Sequence, residues 1–205
     1  MNREGDTHSM TTIGLVRHGV TDWNQEGRMQ GKNDIPLNAE GRRQAELLGK
    51  RMEDEEWDYI YSSNLARARE TADIIARHMG TQVAGYDHLL AERSFGTLEG
   101  TTEQERIDRW GPDWKNAEHG GETREAVVER GMKLLEEMER RHPGKRVLLV
   151  SHGALIGALV ETLFPSFGYL GLKNTCVNVL EKTPEGWSCS LHNCVRHLEN
   201  GTSCG

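Results

Sequence analysis

The segment "KRVLLVSHGALIGALVETLF", residues 145–164, leaves the chain few options. Val147 to Val150 form an unbroken apolar run, strand-length and without a polar face. Such a strand is covered on both sides, as in a parallel sheet between two helical layers. Gly153 then turns the chain into an apolar helix. Polar residues at a turn of this kind lie beyond the carboxyl end of the strand, where open α/β sheets bind ligands.

The same design opens the chain. "TTIGLVRHG", residues 11–19, is a short β-branched and apolar run that ends in Arg17, His18 and Gly19. Two strands, far apart in sequence, thus end in His-Gly. Between them the pattern alternates. Asn38 is a plausible N-cap for a helix in which Ala45, Leu48 and Met52 recur at helical spacing. "WDYIYSS" reads as a strand, and "NLARARETADIIARHM" as a helix with Leu65, Ala68, Ala72 and Ile75 on one stripe. "TQVAGYD" is a weaker third strand. A further helix runs through Val127, Gly131, Leu134 and Met138 and ends before Pro143 and Gly144. "NTCVNVLEK" and "WSCSLHN", joined by "TPEG", predict a terminal hairpin. The sum is an α/β three-layer sandwich with a mainly parallel central sheet and an antiparallel edge.

The expected organisation is a polar N-terminal extension at 1–11 and a single domain at 12–205. Residues 93–121 interrupt it as a long excursion of glycines, tryptophans and charges, with a short helix near 102–109. Loops of this length in a compact domain are usually functional, and substrate specificity is expected there. No apolar run approaches the roughly 20 residues needed to cross a bilayer. The polar start has no signal-peptide core, which predicts a cytoplasmic protein. The four cysteines fit no zinc spacing and are expected to be reduced thiols. A net charge of −7 disfavours nucleic acid and anionic membranes as partners. A small anionic substrate needs only a local convergence of cations.

That convergence is predicted at the strand ends. His18 and His152 would face each other across one crevice, with Arg17 beside them. Arg67, early in the helix after the second strand, would complete the pocket, aided by helix N-termini. Arg69 competes with Arg67, but two residues along a helix it points elsewhere. Arginine pairs two anionic oxygens at once and keeps its charge. Histidine, only partly charged at neutral pH, is the better choice where a neutral ring nitrogen must attack a phosphoryl group. The other histidine and the arginines would stabilise the transferring group. One carboxyl could protonate the leaving oxygen and later activate water. Glu92 and Glu99, in "LLAERSFGTLEG", are the candidates. Trp110 and Trp114 would line the mouth or anchor the loop, and His119 reads first as a loop residue.

In order along the chain, "VRHGVTDWNQEGRMQGKNDIPLNAEGRRQA", "SSNLARARETA", "LLAERSFGTLEG", "HGGET" and "LLVSHGALIGAL" resemble the histidine phosphatase superfamily, also called phosphoglycerate mutase-like. The resemblance spans residues 12–182. It implies that His18 is the phosphorylated nucleophile, that His152, Arg17 and Arg67 hold the phosphate, and that Glu92 is the general acid/base. It further implies phosphate contacts from Asn24 and the backbone at Gly153, and a closing loop at Gln30 and Gly31. Thr21 is carried over as a substrate contact, although Val20 stands where the family commonly has an acidic or amide residue. The family uses no metal and no other cofactor.

The implied function is phosphomonoester hydrolysis on a small phosphorylated metabolite. Cofactor-dependent phosphoglycerate mutase is the alternative. True mutases typically carry a larger insertion after the acid/base motif, and a mutase must hide phosphohistidine from water whereas a phosphatase must admit it. The short excursion favours the phosphatase branch. A silent phosphate-binding regulator would not need Glu92, and two guanidiniums at the histidines would repel a divalent metal. The sequence carries no reading of oligomeric state.

Overall fold

The first strand, β1 (Thr12–Arg17), lies parallel to β4 (Arg146–Ser151), and the pairing runs in register from Thr12 with Arg146 to Arg17 with Ser151. Both strands therefore end level, and each delivers a histidine at the next position. The computed structural model describes residues 10–168 and 171–199. Most of the expected N-terminal extension lies outside the described residues.

Among the described residues a six-stranded sheet has the order β3-β2-β4-β1-β5-β6. β2 (Tyr59–Ser62) and the two-residue β3 (Gly85–Tyr86) continue the parallel half. β5 (Val177–Thr183) and β6 (Gly186–Cys194) form the antiparallel edge as a hairpin. The third strand is shorter than "TQVAGYD" suggested, because only Gly85 and Tyr86 find partners on β2.

The helices are α1 (Asp22–Gln25), α2 (Ala39–Glu53), α3 (Ala66–His78), α4 (Glu103–Trp110), α5 (Arg124–Arg141) and α6 (Gly153–Leu163). Alternation along β4 sorts the core into two layers, as a period of two requires. Val147 and Leu149 pack with α5 and α6 residues such as Leu134, Met138 and Ile156. Leu148 and Val150 pack with Leu48, Met52, Ala72 and Ile75 of α2 and α3. Asn38 caps α2, accepting from Gly41 N at 2.9 Å.

Cys176 and Cys189 are free thiols. Cys194 is disulfide-bonded, which corrects the expectation of reduced thiols at that position. Cys204 lies outside the described residues. No helix among the described residues is long and apolar enough to cross a membrane.

Candidate active site

Level strand ends bring His18 and His152 together, with ring centroids 5.2 Å apart and both residues buried. The turn after His18 runs tightly over α2. A Cβ at Gly19 would stand 2.5 Å from the Gly41 carbonyl oxygen, so the backbones meet where a larger residue could not. His18 Nδ1 donates to the Gly19 carbonyl at 2.7 Å. His18 Nε2 accepts from Arg67 Nε at 3.2 Å. Arginine only donates, so both contacts select the same tautomer, with the lone pair on Nε2. Burial first, then the Arg67 and Arg17 charges, holds the His18 pKa well below the usual imidazole value. His18 is therefore neutral at pH 7.

Arg67, the second residue of α3, is fully buried. Its other nitrogens donate to the carbonyls of Asn33 at 2.7 Å and Gly31 at 2.8 Å. Burial lowers its pKa to about 10, which leaves it cationic at neutral pH. Arg69 instead lies over the Tyr86 ring, so the predicted helix register holds. Arg17 donates to the Leu172 carbonyl and runs beside Gly153, where a Cβ would come within 3.3 Å of its Nε. His152 Nε2 pairs with Ser63 Oγ at 2.7 Å, and its Nδ1 is buried with no hydrogen-bond partner among the described residues. Burial, then Arg67, His18 and Arg17, pushes the His152 pKa well down as well.

The two candidate carboxylates have different surroundings. Glu92 bridges the loop after Leu90 to the start of α6, accepting from Arg93 N at 2.8 Å and Ala154 N at 3.3 Å. It shares a cavity of about 250 Å³ with Arg17, Gly153 and Phe95. Glu99 accepts from Phe95 N at 2.9 Å and from Asn33 Nδ2 at 2.8 Å. It pins the excursion to the Gly31 loop, where a Cβ on Gly31 would collide with its carboxylate. Glu99 is thus used as a clamp, and Glu92 faces the cavity.

The remaining predicted residues build the first loop. Thr21 is fully buried and caps α1, and its hydroxyl also donates to Gln30 Oε1 at 3.0 Å. Asn24 Oδ1 accepts from Thr21 N at 3.1 Å, closing a capping box. Thr21 and Gln30 thus engage each other, and Gly31 offers Arg67 its carbonyl. Gly153 opens α6 beside Arg17.

Several residues escaped the sequence reading. Ser63 orients His152, and Thr71 Oγ1 accepts from Gly19 N at 3.1 Å. Asn174 Nδ2 donates to the His18 carbonyl at 3.0 Å and reaches Asn24 Oδ1 at 3.3 Å. The next residue, buried Thr175, has φ 55°, a conformation β-branched residues avoid. It is held by its N–H to the Arg17 carbonyl at 3.0 Å and by His197 at its hydroxyl. Arg130 forms a two-pronged pair with Glu122 and donates to the carbonyls of Leu89 and Ala91, which fixes the segment that carries Glu92. Serine, threonine and asparagine in such roles leave no periodic trace in a sequence.

In the excursion, Trp114 is buried beneath the Arg106 guanidinium, 4.6 Å from the ring centre. It anchors the loop and also lines a cavity of about 480 Å³. His119 donates from Nε2 to the Trp114 carbonyl at 2.6 Å and meets the Trp110 ring edge-on. Its carbonyl accepts from Thr97 N, so His119 ties the excursion to itself.

Two neutral, buried histidines flanked by two arginines thus lie beyond the carboxyl edge of a mainly parallel sheet, where α/β sandwiches bind their ligands. The chain belongs to the histidine phosphatase superfamily (branch 1), whose profile matches residues 13–195. It is 40% identical over 192 residues to the uncharacterized phosphatase PhoE of Bacillus subtilis, covering 92% of this chain and 97% of that protein. It is 34% identical over 195 residues to the probable phosphoglycerate mutase GpmB of Escherichia fergusonii, covering 88% and 89%. Among solved structures, Bacillus stearothermophilus YhfR superposes with a TM-score of 0.83 at 32% identity, covering 92% of this chain and all of that one. The fold is the phosphoglycerate mutase-like α/β sandwich that the sequence predicted.

Proposed function

We propose that this protein hydrolyses small phosphomonoesters through a covalent phosphohistidine on His18, with Glu92 as general acid and base. The observation that carries the reading is the His18 ring. It is neutral, its Nδ1–H is engaged by Gly19, and its Nε2 lone pair faces the Arg67 guanidinium. An anion that takes the Arg67 Nε–H in place of the ring would free that lone pair and sit in front of it.

In the first step Nε2 forms a bond to phosphorus while the ester oxygen leaves and takes the Glu92 proton. The ring, now a phosphoimidazolium, keeps Nδ1–H on the Gly19 carbonyl. In the second step water gives its proton to Glu92, its oxygen bonds to phosphorus, and the P–N bond breaks, returning the electron pair to Nε2. Arg17, Arg67 and His152 stabilise the equatorial oxygens, joined by Asn24 and by the Gly153 N–H at the start of α6. Thr21, Gln30 and Gly31 act on the substrate only through the loop they shape. The fixed guanidinium charges do the neutralising that a metal does elsewhere, so the scheme calls for no metal ion. Residues 93–121 serve as the lid of a single catalytic unit.

A cavity of about 330 Å³ continues from the Glu92 cavity and gives water room beside the general base. This supports a hydrolase over a mutase. The test is to incubate the enzyme with 3-phosphoglycerate and a trace of 2,3-bisphosphoglycerate, beside p-nitrophenyl phosphate, in excess chelator. Phosphate release with little 2-phosphoglycerate is expected. Fast isomerisation without phosphate release would replace the hydrolase with a mutase.

A further inference from the structure

Helix α6 begins at the phosphate end and runs along the floor of the cleft. Gly153, Ala154, Gly157, Ala158 and Glu161 all line the cavity of about 330 Å³. Their spacing is that of one helical face. Four small residues leave a trough, and only the fifth carries a polar group. From Gly153 to Glu161 the helix rises about 12 Å. Glu161 therefore stands farther from the phosphate site than a three-carbon leaving group extends.

The walls are of two kinds. Met29, Phe95 and Val127 are apolar, and Arg93 and Arg124 are cationic. At the far end Arg124, the first residue of α5, donates to Glu161 Oε2 at 2.6 Å. Glu161 Oε1 is buried with no donor on it among the described residues. A carboxylate turns easily about its last bond, so this pair can present one donor and one unused acceptor to the same ligand. The trough joins the Glu92 cavity through Phe95, Gly153, Ala154 and Gly157, and the larger lid cavity through Met29, Arg93 and Phe95.

We infer that this trough is the leaving-group site and that it selects phosphate esters of hydroxyl-rich bodies of sugar size. The apolar walls suit the C–H faces of a sugar, and the Arg124–Glu161 pair suits hydroxyls, which both donate and accept. A short acid such as glycerate would leave the pair unused. The inference rests on the phosphomonoesterase reading and moves part of the selectivity out of residues 93–121, where the sequence placed it, onto α5 and α6.

The test is a ladder of esters: glycerol 3-phosphate, erythrose 4-phosphate, ribose 5-phosphate and glucose 6-phosphate, with p-nitrophenyl phosphate as reference. kcat/KM should climb along the ladder by about tenfold or more, the scale of one or two hydrogen bonds. Glu161→Ala should cut the ratio of the glucose to the glycerol ester severalfold. Gly157→Leu is the independent arm. No atom lies within 4 Å of a Cβ built at Gly157, so the added side chain starts out in the open space of the trough, and the ratio should fall toward one. A flat ladder, or a ratio unmoved by Gly157→Leu, would overturn the trough as selector. Failure to hydrolyse any ester, p-nitrophenyl phosphate included, would overturn the phosphatase reading and the trough with it.

Discussion

At the sheet end of the cleft, His18, His152 and Arg67 are each at most 2% exposed, and hydrogen bonds from three separate segments fix them. In the excursion at 93–121 only Leu98, Thr101, Arg106 and Trp114 are buried, and the rest is held by partly exposed contacts such as Glu99 on Asn33 and His119 on the Trp114 carbonyl. The first region is over-determined, and the second is adjustable. Substitutions in the pocket should therefore cost rate on every ester. Substitutions in the lid should change stability and substrate choice.

The largest effect belongs to His18. His18→Ala should lower turnover by at least about 10⁴-fold, the scale for losing a covalent nucleophile, while the far-ultraviolet circular dichroism stays native. Arg67→Ala and Arg17→Ala should each cost about 10²- to 10³-fold in kcat, as expected for a donor to developing charge. Arg69→Ala should change steady-state rates little, since that side chain lies on Tyr86. Equal losses at Arg67 and Arg69 would erase the contrast between inner and outer residues.

The two carboxylates belong one to each region. Glu92→Gln should slow esters with poor leaving groups most, because an activated aryl ester needs little protonation. Burst kinetics separates that step from dephosphorylation, which also needs the base. Glu99→Gln should act on KM through the lid without leaving-group dependence. If Glu99→Gln shows the dependence and Glu92→Gln does not, their roles are exchanged.

In the lid, Gly96 has φ 58°, and a Cβ there would fall 1.8 Å from the His119 carbonyl oxygen. Gly96→Ala should cost more than about 1 kcal/mol in a denaturant titration, since both the conformation and the contact oppose it. A neutral result would mean that the lid shifts freely.

The smallest effects are those of pH. His18 and His152 have pKa values below the ordinary 6.5, so the unfolded chain binds more protons than the fold below that pH. Their linkage makes stability fall as pH drops below about 6.5. His78 has the opposite sign. It bridges α3 to Glu53 and Glu46 of α2, and those hydrogen bonds raise its pKa. Its contribution is full below 6.5 and is lost as pH rises through the raised value. Chemical denaturation across pH should show this loss in the parent and lack it in His78→Gln.

The sequence carried the sheet-end pocket well, because apolar runs that stop at polar residues mark strand ends directly. The two His-Gly turns, Arg67 over Arg69, and the placement of α2, α3, α5 and the hairpin are all legible in that way. What lies across the fold is not. Asn174 at the His18 carbonyl, Ser63 at His152, and Arg130 under the Glu92 segment act through tertiary hydrogen bonds that have no period. The resemblance already pointed to Glu92 as the acid, but the clamp that Glu99 forms on Asn33 and Phe95 is visible only in the fold. The third strand shrank because pairing, and not composition, decides where a ladder ends.

The whole scheme turns on transfer of the phosphoryl group to His18 Nε2. Alkaline quench of the enzyme mixed with a ³²P-labelled ester, followed by mass mapping of the peptide at basic pH, with an acid-treated aliquot as control, is the direct test. Acid-labile, base-stable phosphate is expected on the peptide containing Arg17 to Thr21, absent from His18→Ala and accumulating in Glu92→Gln with an activated ester. Label on the His152 peptide, or turnover with labelled product and no phosphoenzyme under single-turnover conditions, would contradict it.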